Sequence, residues 1–171
     1  GYGNSGATSG HLIPGYARVL KEGWKGIYQE LEEYYRKLPA VQKRGAEGAQ
    51  LKAMLTAATV ARDLAAEYAK VCKEMVAQEQ DKKRKTELEQ MAANLERVPW
   101  EPATTFWEAM QSLWLTHMLV MSDESYPGPG VSFGRLDQYL YPYWQRSMQD
   151  GVEREFCKEV MKCFWVHANT A

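Results

Sequence analysis

Thr105-Phe106-Trp107-Glu108-Ala109-Met110-Gln111-Ser112-Leu113-Trp114-Leu115-Thr116-His117-Met118-Leu119-Val120-Met121 is the stretch whose reading decides the fold. Thr105 and Glu108 have the spacing of a capping box, in which a threonine oxygen and a glutamate each satisfy a free helix N–H. From Phe106 to Met121 the segment is apolar almost all round. A helix of that kind is buried on every side. It is short of the roughly 20 residues a membrane span needs, and it carries Gln111 and His117. It therefore reads as the central helix of a large soluble protein. His117 within it is expected to be a hydrogen-bonded core histidine rather than a ligand.

Downstream, Ser125-Tyr126-Pro127-Gly128-Pro129-Gly130 is a turn-forming run, because its prolines fix φ and its glycines free it. It delivers Val131-Ser132-Phe133-Gly134-Arg135-Leu136-Asp137, in which Val131 to Phe133 has the character of a short strand. A stiff loop leading to a small, glycine-containing strip is either a way to bring backbone close to a substrate or only a rigid connection with a capped helix behind it. Arg135 and Asp137 sit among bulky apolar neighbours, where an isolated charge is costly, so they are expected to pair with each other or with partners elsewhere. Leu136, Leu140 and Tyr143 or Trp144 then recur at helical spacing. Gly151 marks a turn, and a last helix from about Glu153 carries Phe156, Val160, Cys163, Phe164 and His167.

Upstream, Pro99 and Pro102 bracket a break at Trp100-Glu101. A helix is expected from about Lys83 to Arg97, with Leu88, Met91, Ala92 and Leu95 inward. Before it, Met54, Ala58, Ala61, Ala65, Tyr68, Cys72 and Met75 alternate spacings of four and three, and this is the plainest helical stripe in the chain. Lys43 to Gly48 reads as a polar connector, and Pro39 ends an earlier helix. That helix begins near Pro14 and carries Tyr16, Val19, Leu20, Trp24, Ile27, Leu31 and Tyr34 on one side. Gly23 and Gly26 lie inside it and make most sense where another backbone packs close. Residues 1–11 are uncharged and rich in glycine, ending in His11, and no Gly-Lys-Ser/Thr follows to make a phosphate loop. A start of this kind, without Met, reads as a loop cut from something longer.

The 171 residues suit one domain or a piece of one, and an apolar fraction of 45% with six tryptophans can fill a core. Lys and Arg number 21 against 22 Asp and Glu, so no global field recruits nucleic acid or an anionic membrane. Cys72, Cys157 and Cys163 have no C-x-x-C spacing, and their odd number fits reduced intracellular thiols. Three scattered histidines form no metal-ligand spacing, and no Gly-x-Ser-x-Gly turn occurs. The residues alone contain no complete catalytic set. A helical interaction module, with aromatic helices forming a groove for a partner, is one reading of such a chain.

A second reading comes from the motifs in order. His11-Leu12-Ile13-Pro14-Gly15-Tyr16-Ala17-Arg18-Val19-Leu20 with Gly23 and Gly26-Ile27 resembles a segment of the glycyl radical enzymes of the pyruvate formate-lyase-like family. So do Lys83-Arg84-Lys85-Thr86-Glu87-Leu88, Arg97-Val98-Pro99, Thr105 to Gln111, and Ser132-Phe133-Gly134-Arg135-Leu136-Asp137-Gln138-Tyr139-Leu140-Tyr141-Pro142. Together they cover nearly the whole chain in the family's order.

The resemblance implies that residues 1–171 are a partial pyruvate formate-lyase-like domain: a mainly helical piece of a larger, ten-stranded α/β barrel. It implies an oxygen-sensitive, cytoplasmic lyase of anaerobic metabolism that breaks a C–C, C–O or C–S bond of a small molecule. Hydrogen abstraction by a thiyl radical would start the reaction. The parent is expected to carry a glycyl radical installed by a radical SAM iron-sulfur activating enzyme, and to be a homodimer. Neither Phe-Cys157-Lys nor Lys-Cys163-Phe matches the family's Gly-Cys-Val/Ile-Glu setting, and no residue matches its radical-glycine loop. No catalytic residue is therefore assigned, and the piece alone is expected to be inactive. On the substrate side the resemblance points to His11, Pro129, Gly130 and Ser132. Pro129-Gly130 stands where the diol and glycerol dehydratase branch has a His-Ser pair that touches substrate hydroxyls. That exchange removes two hydrogen-bonding side chains and argues against diol dehydration. His11 and the Pro127–Ser132 strip are expected to converge on one pocket.

Overall fold

A computed structural model describes residues 12–123 and 130–170. The described residues form helices α1 (Tyr16–Lys37), α2 (Ala40–Arg44), α3 (Ala46–Gln78), α4 (Lys82–Leu95), α5 (Phe106–Asp123), α6 (Leu136–Gln149) and α7 (Arg154–Thr170). Extended pairing among them is limited to one parallel bridge between Leu12 and Val131, where the sequence suggested a short strand. No described helix is long and apolar enough to cross a membrane. The chain divides into two compact units, residues 22–102 and residues 1–21 with 103–171.

Within the unit of residues 22–102, α1 is broken at Gly23, whose φ of 67° and ψ of 166° belong to backbone that only glycine adopts readily. The break orphans the N–H groups that start the next turn. Trp24 donates to the Pro99 carbonyl and Lys25 to the Trp100 carbonyl, both at 2.9 Å. A Cβ on Gly23 would stand 2.2 Å from the Trp100 carbonyl oxygen. The close backbone expected there is present. Gly26 has no such neighbour, since an added Cβ meets only the Glu22 side chain. The expected connector at Lys43 to Gly48 is instead the end of α2 and the first turn of α3. Nothing between Val41 and Gly48 breaks a helix except Gly45, which serves as the junction.

On α3 the buried stripe is Ala58, Ala61, Ala65, Ala69 and Cys72, whereas Met54, Tyr68, Val71 and Met75 are largely exposed. The sequence stripe therefore ran true through its alanines and false through its large residues. Small side chains let α4 approach closely, and a Tyr or Met on the same line would hold it off. The link Glu79–Asp81 turns the chain back, and the Asp81 carboxylate accepts the Arg84 N–H at 2.7 Å as an N-cap. On α4, Leu88, Ala92 and Leu95 are buried as expected, with Asn94.

In the other unit, α5 is covered along its first three turns, where Phe106, Ala109, Met110, Leu113 and Leu115 are buried with Glu108, Ser112, Thr116 and His117. From Met118 to Met121 it is only half-buried, so the expectation of burial on every side fails for the last turn. The capping box is present in altered form. Thr105 Oγ1 accepts the Glu108 N–H at 3.1 Å, but the Glu108 carboxylate reaches Thr104, accepting from its N–H and hydroxyl at 2.7 Å. Phe106 N–H, another first-turn donor, is taken by Ser147 Oγ of α6 at 3.0 Å. Helices α6 and α7 both pack on α5. The inward residues of α7 include Cys157 and Phe164, whereas Cys163 is exposed. Arg135 and Asp137 pair with each other through two contacts of 2.9 and 2.8 Å, yet both are exposed rather than set among apolar groups.

Candidate functional site

His11 and Pro129 lie outside the described residues. Gly130 and Ser132 are exposed. The strips that carry the four residues are joined next to them: Leu12 pairs with Val131, and the Ser132 N–H donates to the Leu12 carbonyl at 2.9 Å. Ser132 Oγ turns back to accept the Gly134 N–H at 3.2 Å. Gly134 has φ 63°, and a Cβ there would come within 2.9 Å of Ile13 Cγ2, so glycine permits a second approach between the strips.

Behind the bridge lies a group of rings that sequence reading did not assemble. Tyr16, at the start of α1, is 1% exposed, and its hydroxyl lies 2.7 Å from His117 Nδ1 on α5. The His117 ring stacks at a tilt on Phe133 with centroids 4.2 Å apart, and Phe133 meets Phe164 edge-on at 4.8 Å. Tyr139 of α6 donates its hydroxyl to the Phe133 carbonyl at 2.8 Å. Burial pushes the Tyr16 and Tyr139 phenols up and the His117 imidazole down. All three are therefore neutral at neutral pH, and the cluster holds shape rather than charge. The core role expected for His117 is what the structure shows. Its partner is 101 positions away, and only the fold brings them together.

Away from the bridge, a concavity of about 290 Å³ opens between α6 and α7. Leu140, Trp144, Cys157 and Met161 line it, with Arg154 and Lys158 beside them. Among the described residues no three His, Cys, Asp or Glu side chains group to hold a metal. Burial raises the Cys72 and Cys157 thiols, which disfavours the thiolate at both.

The family model described as pyruvate formate lyase-like matches residues 4–171. Isethionate sulfite-lyase of Desulfovibrio desulfuricans is 36% identical over 157 residues, covering 88% of this chain and 18% of that protein. Indoleacetate decarboxylase of Tractidigestivibacter scatoligenes is 46% identical over 88 residues, 51% of this chain and 10% of that protein. Among solved structures, the glycerol-bound B12-independent glycerol dehydratase from Clostridium butyricum superposes with a TM-score of 0.83 at 30% identity, covering 94% of this chain and 20% of that one. The chain thus spans a fifth or less of the length of the relatives it matches.

Proposed function

Since the chain belongs to the pyruvate formate lyase-like family, we propose that it is part of a glycyl radical lyase that breaks a C–S, C–C or C–O bond of a small organic substrate. Three relatives named for sulfite release, decarboxylation and dehydration support that range, because each expels a small group from carbon. The reading takes residues 1–171 as a partial domain of a ten-stranded α/β barrel enzyme, cytoplasmic and homodimeric, with a radical SAM iron-sulfur activating enzyme as partner.

A glycyl radical supplies such an enzyme with a thiyl radical able to take hydrogen from substrate. The residues of this chain do not fit that role. Cys72 and Cys157 are buried thiols, and Cys163 stands exposed on a helix in a Lys-Cys-Phe setting. The contribution of this chain is to the substrate wall. The observation that carries the reading is the Leu12–Val131 bridge, which joins the segment following His11 to the segment following Gly130. His11 would donate to or accept from a polar substrate group, and Pro129-Gly130 would give a rigid face nearly free of side chain. Such a face suits a compact or flat substrate better than a vicinal diol.

The test is anaerobic activation of the full-length enzyme with its activating enzyme. Electron paramagnetic resonance should show a carbon-centred glycyl signal. Turnover of a hydroxyalkyl sulfonate, an arylacetate and a vicinal diol is then compared. Turnover of one of the first two, with His11→Ala lowering kcat/KM about 100-fold or more in a folded protein, is the expected outcome. No radical signal, or an unchanged rate in His11→Ala, removes the reading or the role of His11 respectively.

A further inference from the structure

The bridge between residues 12 and 131 is too small to hold itself. Among the described residues the pair is a single ladder contact, in which the Ser132 N–H donates to the Leu12 carbonyl, and no further strand flanks it. Within this unit the support on the page lies behind the pair, where the rings are attached to both strips. Tyr16 opens α1 four residues after Leu12 and anchors the first. Phe133 is the third residue of the second, gripped by ring and by backbone: His117 covers the ring at 4.2 Å, and the Tyr139 hydroxyl donates to its carbonyl at 2.8 Å. Tyr16 and His117 are bonded to each other at 2.7 Å, and both are buried.

Packing alone would not need that bond. Phenylalanine and leucine would fill the same space without the cost of stripping water from a phenol and an imidazole. A buried polar pair does what apolar contact cannot: it is satisfied in one arrangement and costly in the others, so it specifies register. We propose that the Tyr16–His117 hydrogen bond is a positioning device that locks the Leu12–Ile13 and Val131–Phe133 strips together, with Phe133 as the lever between them. Its effect on substrate rests on the enzyme reading above. Tyr16 and His117 are positioning residues, since they act through the strips. The lock fixes the distance between the two walls and so governs how tightly substrate is held.

The experiment uses the full-length protein and three variants. Tyr16→Phe keeps the ring and removes the bond, His117→Leu removes it from the other side, and His117→Asn keeps a polar atom near the Nδ1 position. Amide exchange is followed on the peptide carrying Ser132, and steady-state kinetics on the activated enzyme. Tyr16→Phe and His117→Leu should each speed exchange at Ser132 about tenfold and raise KM about fivefold, with kcat within about twofold. The double variant should be no worse than either single one, as expected for two halves of one interaction. His117→Asn should recover most of both effects. Unchanged exchange in Tyr16→Phe overturns the lock, and faster exchange with an unchanged KM overturns its role toward substrate. A wild-type protein without radical signal or turnover sinks the enzyme reading alone, because the exchange measurement still decides whether the pair pins the strips.

Discussion

Gly23 and Gly26 look alike in sequence, two glycines three apart in one helix, and the structure separates them completely. Gly23 has φ 67° and ψ 166°, a conformation that costs other residues about 1–3 kcal/mol on its own. Its missing side chain also leaves room for the Trp100 carbonyl, 2.2 Å from where a Cβ would stand. Gly26 is ordinary helix. Gly23→Ala should therefore cost about 3 kcal/mol or more, and Gly26→Ala should stay within about 1 kcal/mol of the parent. Thermal unfolding followed by circular dichroism checks the pair, and equal losses would show that the helix runs straight through residue 23. The sequence reading expected a close backbone at both glycines, and only Gly23 has one. Sequence could not separate them, because the partner, the Trp100 carbonyl, is 77 positions further on. The same holds at His117: its burial follows from the apolar run around it, while its hydrogen bond to Tyr16 is a tertiary fact.

At the scale of elements, what was legible was local. The stop at Pro39, the turn at Gly151, the Thr105 cap and the breaks around Trp100 come from residues that fix or free their own backbone. Faces were less legible, and α3 shows why. Its helical period puts alanines and larger residues on one stripe, whose small members allow close helix contact, and periodicity alone does not say which members face inward. Close packing with α4 selects the alanines, since small residues allow the shorter distance between axes. Ala61→Leu should then push the pair apart and destabilise by about 1–3 kcal/mol, as overpacking does. Tyr68→Ala, on the exposed line, should change stability by less than about 1 kcal/mol. Denaturant unfolding measures both. A larger loss at Tyr68 than at Ala61 would put the large residues of the stripe, not its alanines, against α4. The candidate site was legible as two strips, and their convergence was expected from the resemblance alone; the pairing of Leu12 with Val131 needed the fold.

At the scale of the whole molecule, the apolar side chains left uncovered carry the argument. In the unit that holds the bridge, Ile13, Tyr141, Trp165 and Val166 are each at least half exposed, and α7 presents Trp165 and Val166 side by side. On α5, by contrast, α6 and α7 pack against it and its first three turns are covered. Adjacent large apolar groups of this kind are uncommon on a monomer that works alone. The relatives matched here are about five times as long as this chain, which supplies a source of cover. The 171-residue chain by itself should therefore bind a hydrophobic dye strongly and associate as its concentration rises. Trp165→Ser with Val166→Ser should reduce both, because each exposed side chain contributes roughly 1.5–3 kcal/mol when it is buried against a partner. The full-length protein should bind little dye and should be indifferent to the same two substitutions only if that surface faces solvent there too. Loss of stability on substituting Trp165 in the full-length protein is the expected result. A dye-silent, monomeric 171-residue chain would instead show that these side chains need no cover.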